Sequence, residues 1–343
     1  MNEILLSKAK EKWLHKTKPA FSLGYLEEVI ARCCAIWESL DVPDVHVGAV
    51  LFAADHGVIE EGVSSYPKSV TLEMMKNFAL GGACINVFAR STNADLFLVD
   101  VGIDGYTDGI KKVYIHKIRH GTANFLKGRA LEKSDVRKAL EVGDKYASIL
   151  SDKHLNLGVG GDMGIGNTTS ASAIISCILS QDPANTVGPG AGMDKAGQKR
   201  KIDVIRKALE LHKPDPKDPE DILKKIGGLE ITAMVGFYTG LKNRHIPIIL
   251  DGLISKSAFL LARLIDPNLD HFVFFGHQGK EPGSRLIIER MKARPLLALD
   301  MALGEGTGAI LAADLIRHAY RAFVQMATFE DANISSDKDH RPK

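Results

Sequence analysis

The sequence predicts an α/β fold, with a mostly parallel sheet and helices packed on both of its faces. Two observations carry this. Short apolar runs rich in β-branched residues alternate with longer stretches of helical periodicity, the pattern of buried parallel strands joined by crossover helices. Each apolar run also ends in a polar, glycine-bearing turn, and open parallel sheets bind ligands beyond the carboxyl ends of their strands.

Residues 1–42 read as helical. From Tyr25 onward, Leu26, Val29, Ile30, Ile36, Trp37 and Leu40 recur at helical spacing and form a packing face. After Pro43 the pattern changes to strand-like runs at 46–53 (HVGAVLFA), 94–102 (ADLFLVDVG), 155–160 (LNLGVG), 246–252 (IPIILDG) and 271–276 (HFVFFG). The turns that follow are AADHG (53–57), Asp100 to Asp104, GGDMGIGNTTS (160–170), Asp251-Gly252 and GHQGKEPG (276–283). Five such turns at one sheet edge describe a single site assembled from distant segments. The proline- and charge-rich stretch 212–223 is a surface connection, with Asp218 or Asp221 capping the next helix. The polar tail 330–343 is expected to be disordered.

Bulk properties exclude several classes. The chain has 343 residues, 45% hydrophobic and 25% charged, enough for one large domain or one large plus one small. Its 44 basic and 42 acidic residues leave a net charge of +2 and no basic stripe, which argues against nucleic-acid binding. Cys33, Cys34, Cys84 and Cys177 show neither a CxxC pair nor zinc spacing; the adjacent Cys33 and Cys34 read as small core residues on a helix, which suits a reducing, cytoplasmic setting. No secretory signal opens the sequence, and no apolar run reaches membrane-spanning length.

Four loops hold residue types suited to chemistry. In ALGEGTGA (302–309), one carboxylate, Glu305, stands among Gly304, Gly306 and Gly308, where the backbone can turn sharply and approach a ligand closely. In GGDMGIGNTTSASAII, glycine-rich steps lead into a helix expected to begin near Thr168. Its free first-turn N–H groups and dipole favour an anion, and a phosphate or phosphoribosyl group fits. A plain strand–helix turn with Thr168 as its cap is the alternative. No lysine follows these glycines as in a P-loop, and Met163 breaks a GxGxxG pattern, so a dinucleotide-dependent oxidoreductase lacks its fingerprint. In VGPGAGMDKAGQKRKIDVI (187–205), Gly188, Gly190 and Gly192 precede a helix capped by Asp194, with Lys201 two turns in. Lys201 either reaches back to a bound phosphate or, as the nearby Lys195, Lys199 and Arg200 suggest, is solvated.

The fourth loop spans 55–89. Ser64 or Ser65 is expected to begin a helix with Pro67 in its first turn. Val70, Met74 and Phe78 then share a face that, with Tyr66, walls a small apolar pocket or joins the core; Gly81 and Gly82 end the helix. His56 and His277 are single turn histidines without a metal-ligand partner at the right spacing, so positioning roles are favoured. Asp251 either caps the next helix or touches a ribose.

Taken together, FAADHGV (52–58), EGVSSYPKSVT (61–71), GGACINVFAR (81–90), GDMGIGNTTSASAI (161–174), VGPGAGMD (187–194), GGLEITAMVG (227–236) and LGEGTGA (303–309) resemble, in family order, the nicotinate-nucleotide:dimethylbenzimidazole phosphoribosyltransferases of cobamide lower-ligand synthesis. The resemblance covers roughly residues 20–325. It implies a Rossmann-like large domain over 43–325 and a small helical domain made of 1–42 with part of the C-terminal region. It also implies a dimer, either homodimeric or paired with a paralogous subunit.

The implied reaction moves phosphoribose from nicotinate mononucleotide to an aromatic base, with no metal and no cofactor beyond the substrates. Glu305 matches the general base. Gly164, Gly166, Asn167, Thr168, Lys201, Gly188 and Gly190 match the phosphate and ribose grip, and Asp162 stands where many relatives carry Glu. Tyr66, Met74 and Met163, with Leu303 and Gly304, line the implied acceptor pocket. Tyr66 and Met74 replace a Ser and a Gln of dimethylbenzimidazole-using relatives, and Met163 replaces a Leu. Such a pocket offers fewer hydrogen bonds and suits phenol or p-cresol. Ala302 and Gly279 also depart from a common Arg and Ser. The competing class is a non-catalytic, regulatory subunit of a heterodimer; retention of Glu305 argues for the catalytic one.

Overall fold

The computed structural model describes residues 2–188 and 192–335. Two helices open the chain, α1 (Glu3–Leu14) and α2 (Tyr25–Ile36), followed by strand β1 (Val47–Ala54). Helices α3 (Val70–Leu80) and α4 (Cys84–Ser91) lead to β2 (Asp95–Gly102) and the short β3 (Val113–Ile115). Then come α5 (Lys133–Asp152), β4 (Leu157–Met163), α6 (Asn167–Ile178), α7 (Lys195–His212), α8 (Pro219–Ile226) and α9 (Leu229–Asn243). Strand β5 (Ile248–Leu250), α10 (Leu253–Ile265), β6 (Val273–Phe275), α11 (Pro282–Arg290) and α12 (Thr307–Gln325) complete the order.

The six strands pair in the order β3-β2-β1-β4-β5-β6, and every pairing is parallel. Strand order reverses between β1 and β4, so the crevice beyond their carboxyl ends is where such a sheet takes a ligand. All eight residues of β1 are buried, as expected of a central strand covered on both faces. Phe52 of β1 meets Tyr146 of α5 and Phe237 of α9 edge-on, which seats that helix pair on the sheet. Strand β3 has no apolar run to announce it; it is a three-residue edge strand with two exposed positions.

The apolar face expected on residues 25–40 is buried: Val29, Ile30 and Ile36 are fully covered, and Leu26, Trp37 and Leu40 pack partly buried against the core. Cys33 and Cys34 are buried free thiols within it. This face docks on α12 from the far end of the chain. Trp13 lies 5.0 Å from Phe323, and Trp37 meets Tyr320 edge-on at 5.3 Å. The Tyr320 hydroxyl accepts from Val42 N at 2.6 Å and donates to Val42 O at 2.8 Å. Residues 329–333 form a turn beside Thr328, which donates to the Asp331 carboxylate; 336–343 lie outside the described residues. No helix of the described residues is long and apolar enough to cross a membrane.

Candidate active site

The crevice at the β1/β4 reversal collects all five turns. Asp55, just past β1, accepts from Asp104 N at 2.7 Å, tying the β1 and β2 turns together. Helix α6 starts at Asn167, one residue before the expected Thr168. It follows Gly166, whose φ of 98° puts the backbone in the left-handed region that favours glycine. Gly164 packs so tightly on the Ala54 carbonyl that a side chain there would collide with it. The turn is propped from outside by Thr71 of α3, whose hydroxyl accepts from Ile165 N at 3.1 Å. Beneath it lies a wholly buried pair, His56 Nε2 and Glu230 Oε1, 2.6 Å apart.

Lys201 is not solvated. It is 2% exposed and donates to Thr168 Oγ1 at 2.8 Å, at the start of α6. Burial pulls its ammonium down to about 8, against the charge of Glu281. Asp194 caps α7 by accepting from Gly197 N at 2.7 Å, which fixes the helix that carries Lys201. Gly188 lies against the Glu281 carboxylate with no room for a side chain. Gly190 lies outside the described residues.

The loop before α12 reaches the same crevice. Gly304, Glu305 and Gly306 take φ values of 87°, 63° and 92°, three left-handed residues in succession. For Glu305 this conformation is strained and persists only because its surroundings enforce it. Gly161 of β4 leaves room for the Glu305 carbonyl; any side chain at 161 would collide with it. Glu305 is 7% exposed, and its carboxylate accepts from Ile85 N at 3.3 Å, at the start of α4. Burial pushes its pKa up; the Ile85 N–H opposes this and the charge of Asp251 adds to it. Asp162 bridges the two halves of the site. Its Oδ2 accepts from Asn167 Nδ2 at 3.0 Å, and Gly304 stands beside the same carboxylate. Burial, then Asp251 and Glu230, push the Asp162 carboxyl well above the usual range.

Of the two readings of Asp251, the cap of the following helix is the one the structure corrects. Asp251 caps α12 rather than the following helix α10, accepting from Gly306 N at 3.2 Å and from Ala309 N at 3.0 Å. Beyond Gly276, Lys280 N donates to Met301 O at 3.0 Å, which ties the fifth turn to the Glu305 loop. Gly279 takes a φ of 70°, and a side chain there would press on Ser284 Oγ, so this turn is shaped for glycine.

The residues expected on the acceptor side are half-buried or exposed. Helix α3 starts at Val70, not at Ser64 or Ser65, because Pro67 to Ser69 form a separate turn; Gly81 ends it with a φ of 83°. Met74 lies one turn beyond Thr71, on the side that meets the Ile165 turn, and is half-buried, as is Met163. Tyr66 is 49% exposed and Leu303 54%, so neither is a plain core residue. Two features escape the reading from sequence. The His56–Glu230 pair joins residues 174 apart. Lys256 is wholly buried, donating to Asp251 O, His277 O and Ser284 Oγ. A lone lysine in the apolar stretch LISKSAFLL is the available signal. No three His, Cys, Asp or Glu side chains gather as metal ligands among the described residues.

The resulting site has two poles. Lys201 and the start of α6 form a positive one; the ionised Asp251 anchors an acidic one with Glu305, Glu230 and Asp162, where burial and mutual repulsion push the Asp162 carboxyl toward its protonated form.

Comparison with known proteins gives the family and the fold. The family model described as Phosphoribosyltransferase matches residues 1–334. Nicotinate-nucleotide–dimethylbenzimidazole phosphoribosyltransferase of Geobacter metallireducens is 41% identical over 335 residues, 98% of this chain and 95% of that protein. The protein of the same name from Chloroflexus aggregans is 40% identical over 323 residues, 94% and 92% of the two chains. The crystal structure of CobT from Thermus thermophilus superposes with a TM-score of 0.93 at 38% identity, covering 97% of this chain and all of that one. The chain belongs to the nicotinate-nucleotide–dimethylbenzimidazole phosphoribosyltransferase family.

Proposed function

We propose that this enzyme transfers phosphoribose from nicotinate mononucleotide to a small flat aromatic acceptor, with phenol or p-cresol preferred and 5,6-dimethylbenzimidazole a poorer substrate. The observation that carries the reaction is the buried Glu305 carboxylate. It adjoins Gly304, which stands beside Asp162, and Asp162 is joined to the start of α6 through Asn167. The two poles suit this donor. Its phosphate meets Lys201, Thr168 and the N-terminus of α6, with Gly164, Gly166 and Gly188 shaping the cradle. Its cationic ring nitrogen and the positive charge developing at ribose C1 meet the carboxylates.

The acceptor oxygen attacks C1 on the face opposite nicotinate. The C1–N bond breaks, its electron pair neutralises the nicotinate ring, and the phenolic proton passes to Glu305. Inversion turns the β-linked donor into an α-linked riboside phosphate. A free phenol has a pKa of about 10, by analogy with tyrosine, so a buried carboxylate whose own pKa is raised is the better base for it. No cofactor enters beyond the substrates.

The phenolic preference rests on Tyr66, Met74 and Met163, with Leu303 and Gly304, as the acceptor's surroundings. Apart from the Tyr66 hydroxyl, these side chains offer no strong hydrogen-bonding group for a second ring nitrogen. The test is a mixed-acceptor reaction. Purified protein receives nicotinate mononucleotide with equimolar phenol, p-cresol and dimethylbenzimidazole, and products are resolved by mass. O-linked riboside phosphates should dominate. Their absence rejects the phenolic preference, and no riboside phosphate of any kind rejects the reaction for this chain alone. Repeating the assay with a paralogous subunit separates a catalytic chain from a regulatory one.

A further inference from the structure

We propose that Asp251 is a positioning residue for the catalytic base, locking the Gly304–Gly306 turn so that Glu305 faces the crevice. The inference rests on Glu305 acting as that base.

Three left-handed residues in a row do not hold themselves. A non-glycine residue in that region is strained, and the first N–H groups of a helix need partners. Asp251 supplies both needs from the end of β5, 55 residues away in sequence. One carboxylate oxygen takes Gly306 N and the other takes Ala309 N. The two bonds bracket the start of α12 and pin the backbone immediately after Glu305.

Asp251 is itself held. It is wholly buried, and His277 Nε2 stands 3.3 Å from its Oδ1. The His277 ring also lies flush against Gly308, where any side chain would strike it. Lys256 fastens this corner from below by donating to the Asp251 and His277 carbonyls, at 2.7 and 2.9 Å. Burial works to raise the Asp251 pKa, but His277 and the Ala309 N–H outweigh it, leaving the carboxyl below the usual range and ionised. Two acceptor oxygens are what this geometry needs, and an amide cannot supply both.

Asp251→Asn tests this. Asparagine keeps the shape but turns one oxygen into a donor, so one of the two N–H groups loses its partner. We expect kcat to fall about 10²-fold, the scale of a small misplacement of a catalytic group. KM for nicotinate mononucleotide should stay within about threefold. Amide hydrogen exchange in residues 304–309 should speed up about tenfold or more over wild type. Unchanged kcat, or unchanged exchange in that segment, overturns the proposal. So does a raised KM with kcat preserved, which would mark Asp251 as a nucleotide contact.

If Asp251→Asn does not fold, His277→Asn carries the test. It removes the ring beneath Gly308 and should shift kcat and exchange in the same direction; wild-type values for both overturn the proposal. Failure of the base assignment reads out separately, as full turnover in Glu305→Gln whatever the exchange data show.

Discussion

Helices α6 and α12 begin in the same way and are finished differently. Each follows a left-handed glycine, Gly166 with φ 98° and Gly306 with φ 92°, and neither glycine provides a side-chain cap. At α12 the gap is closed by an internal anion, the Asp251 carboxylate. At α6 no side chain among the described residues accepts from the first-turn N–H groups, and a buried lysine waits beside Thr168. One backbone device thus does two jobs. On the proposed reading, the closed start holds the base still. At the open start Asn167 N and Thr169 N are taken by the Gly164 and Gly166 carbonyls, and on the proposed reading the dipole is left for an anion arriving from outside, an interaction of roughly 0.3–2 kcal/mol.

That contrast can be broken from either side. The largest effect should come from Glu305→Gln, which keeps the loop's shape and removes the proton acceptor. Turnover should fall about 10³-fold, with nicotinate mononucleotide binding by calorimetry near wild type. Next is the open end. Lys201→Met should weaken nucleotide binding by roughly 2 kcal/mol, about 30-fold in kcat/KM, carried by KM. A loss confined to kcat would show that Lys201 does not hold the phosphate. Tyr66→Ser combined with Met74→Gln should move the phenol-to-benzimidazole product ratio about tenfold, or ~1.4 kcal/mol; an unchanged ratio removes these side chains from the acceptor site. The last effect is on stability. Gly166→Ala forces a methyl into the left-handed region and to 3.2 Å from His56 Cβ. It should cost about 1–2 kcal/mol, visible as a lowered Tm, and no change would mean the turn relaxes freely.

Much of this is readable from the chain because the signals are local. Strands β1, β2 and β4 are long enough to show as apolar runs, and Asp194, Asp218 and Gly81 end or begin helices by chemistry that acts within a turn. Misreadings arise where distant contacts decide. Lys201 looks solvated among its basic neighbours, but the packing of α7 on α6 buries it. Asp251 resembles a cap for α10, yet its partners lie on α12. Ser64 and Pro67 mimic a helix start, and only the turn at Pro67–Ser69 shows that α3 begins later. The His56–Glu230 pair carries no local mark at all, since neither residue signals the other across 174 positions.

The pH dependence of kcat/KM, measured on wild type and Glu305→Gln side by side, tests the central claim most directly. The base works only when deprotonated, so the rate must fall as pH drops through its pKa. Burial places that pKa above the ordinary value of 4.5. The nucleotide's phosphate, with a second pKa of about 6, titrates alike in both proteins. Wild type should therefore show an acid limb that the variant lacks, on top of any limb the two share. Acid limbs of identical position and steepness in the two proteins would contradict Glu305 as the proton acceptor.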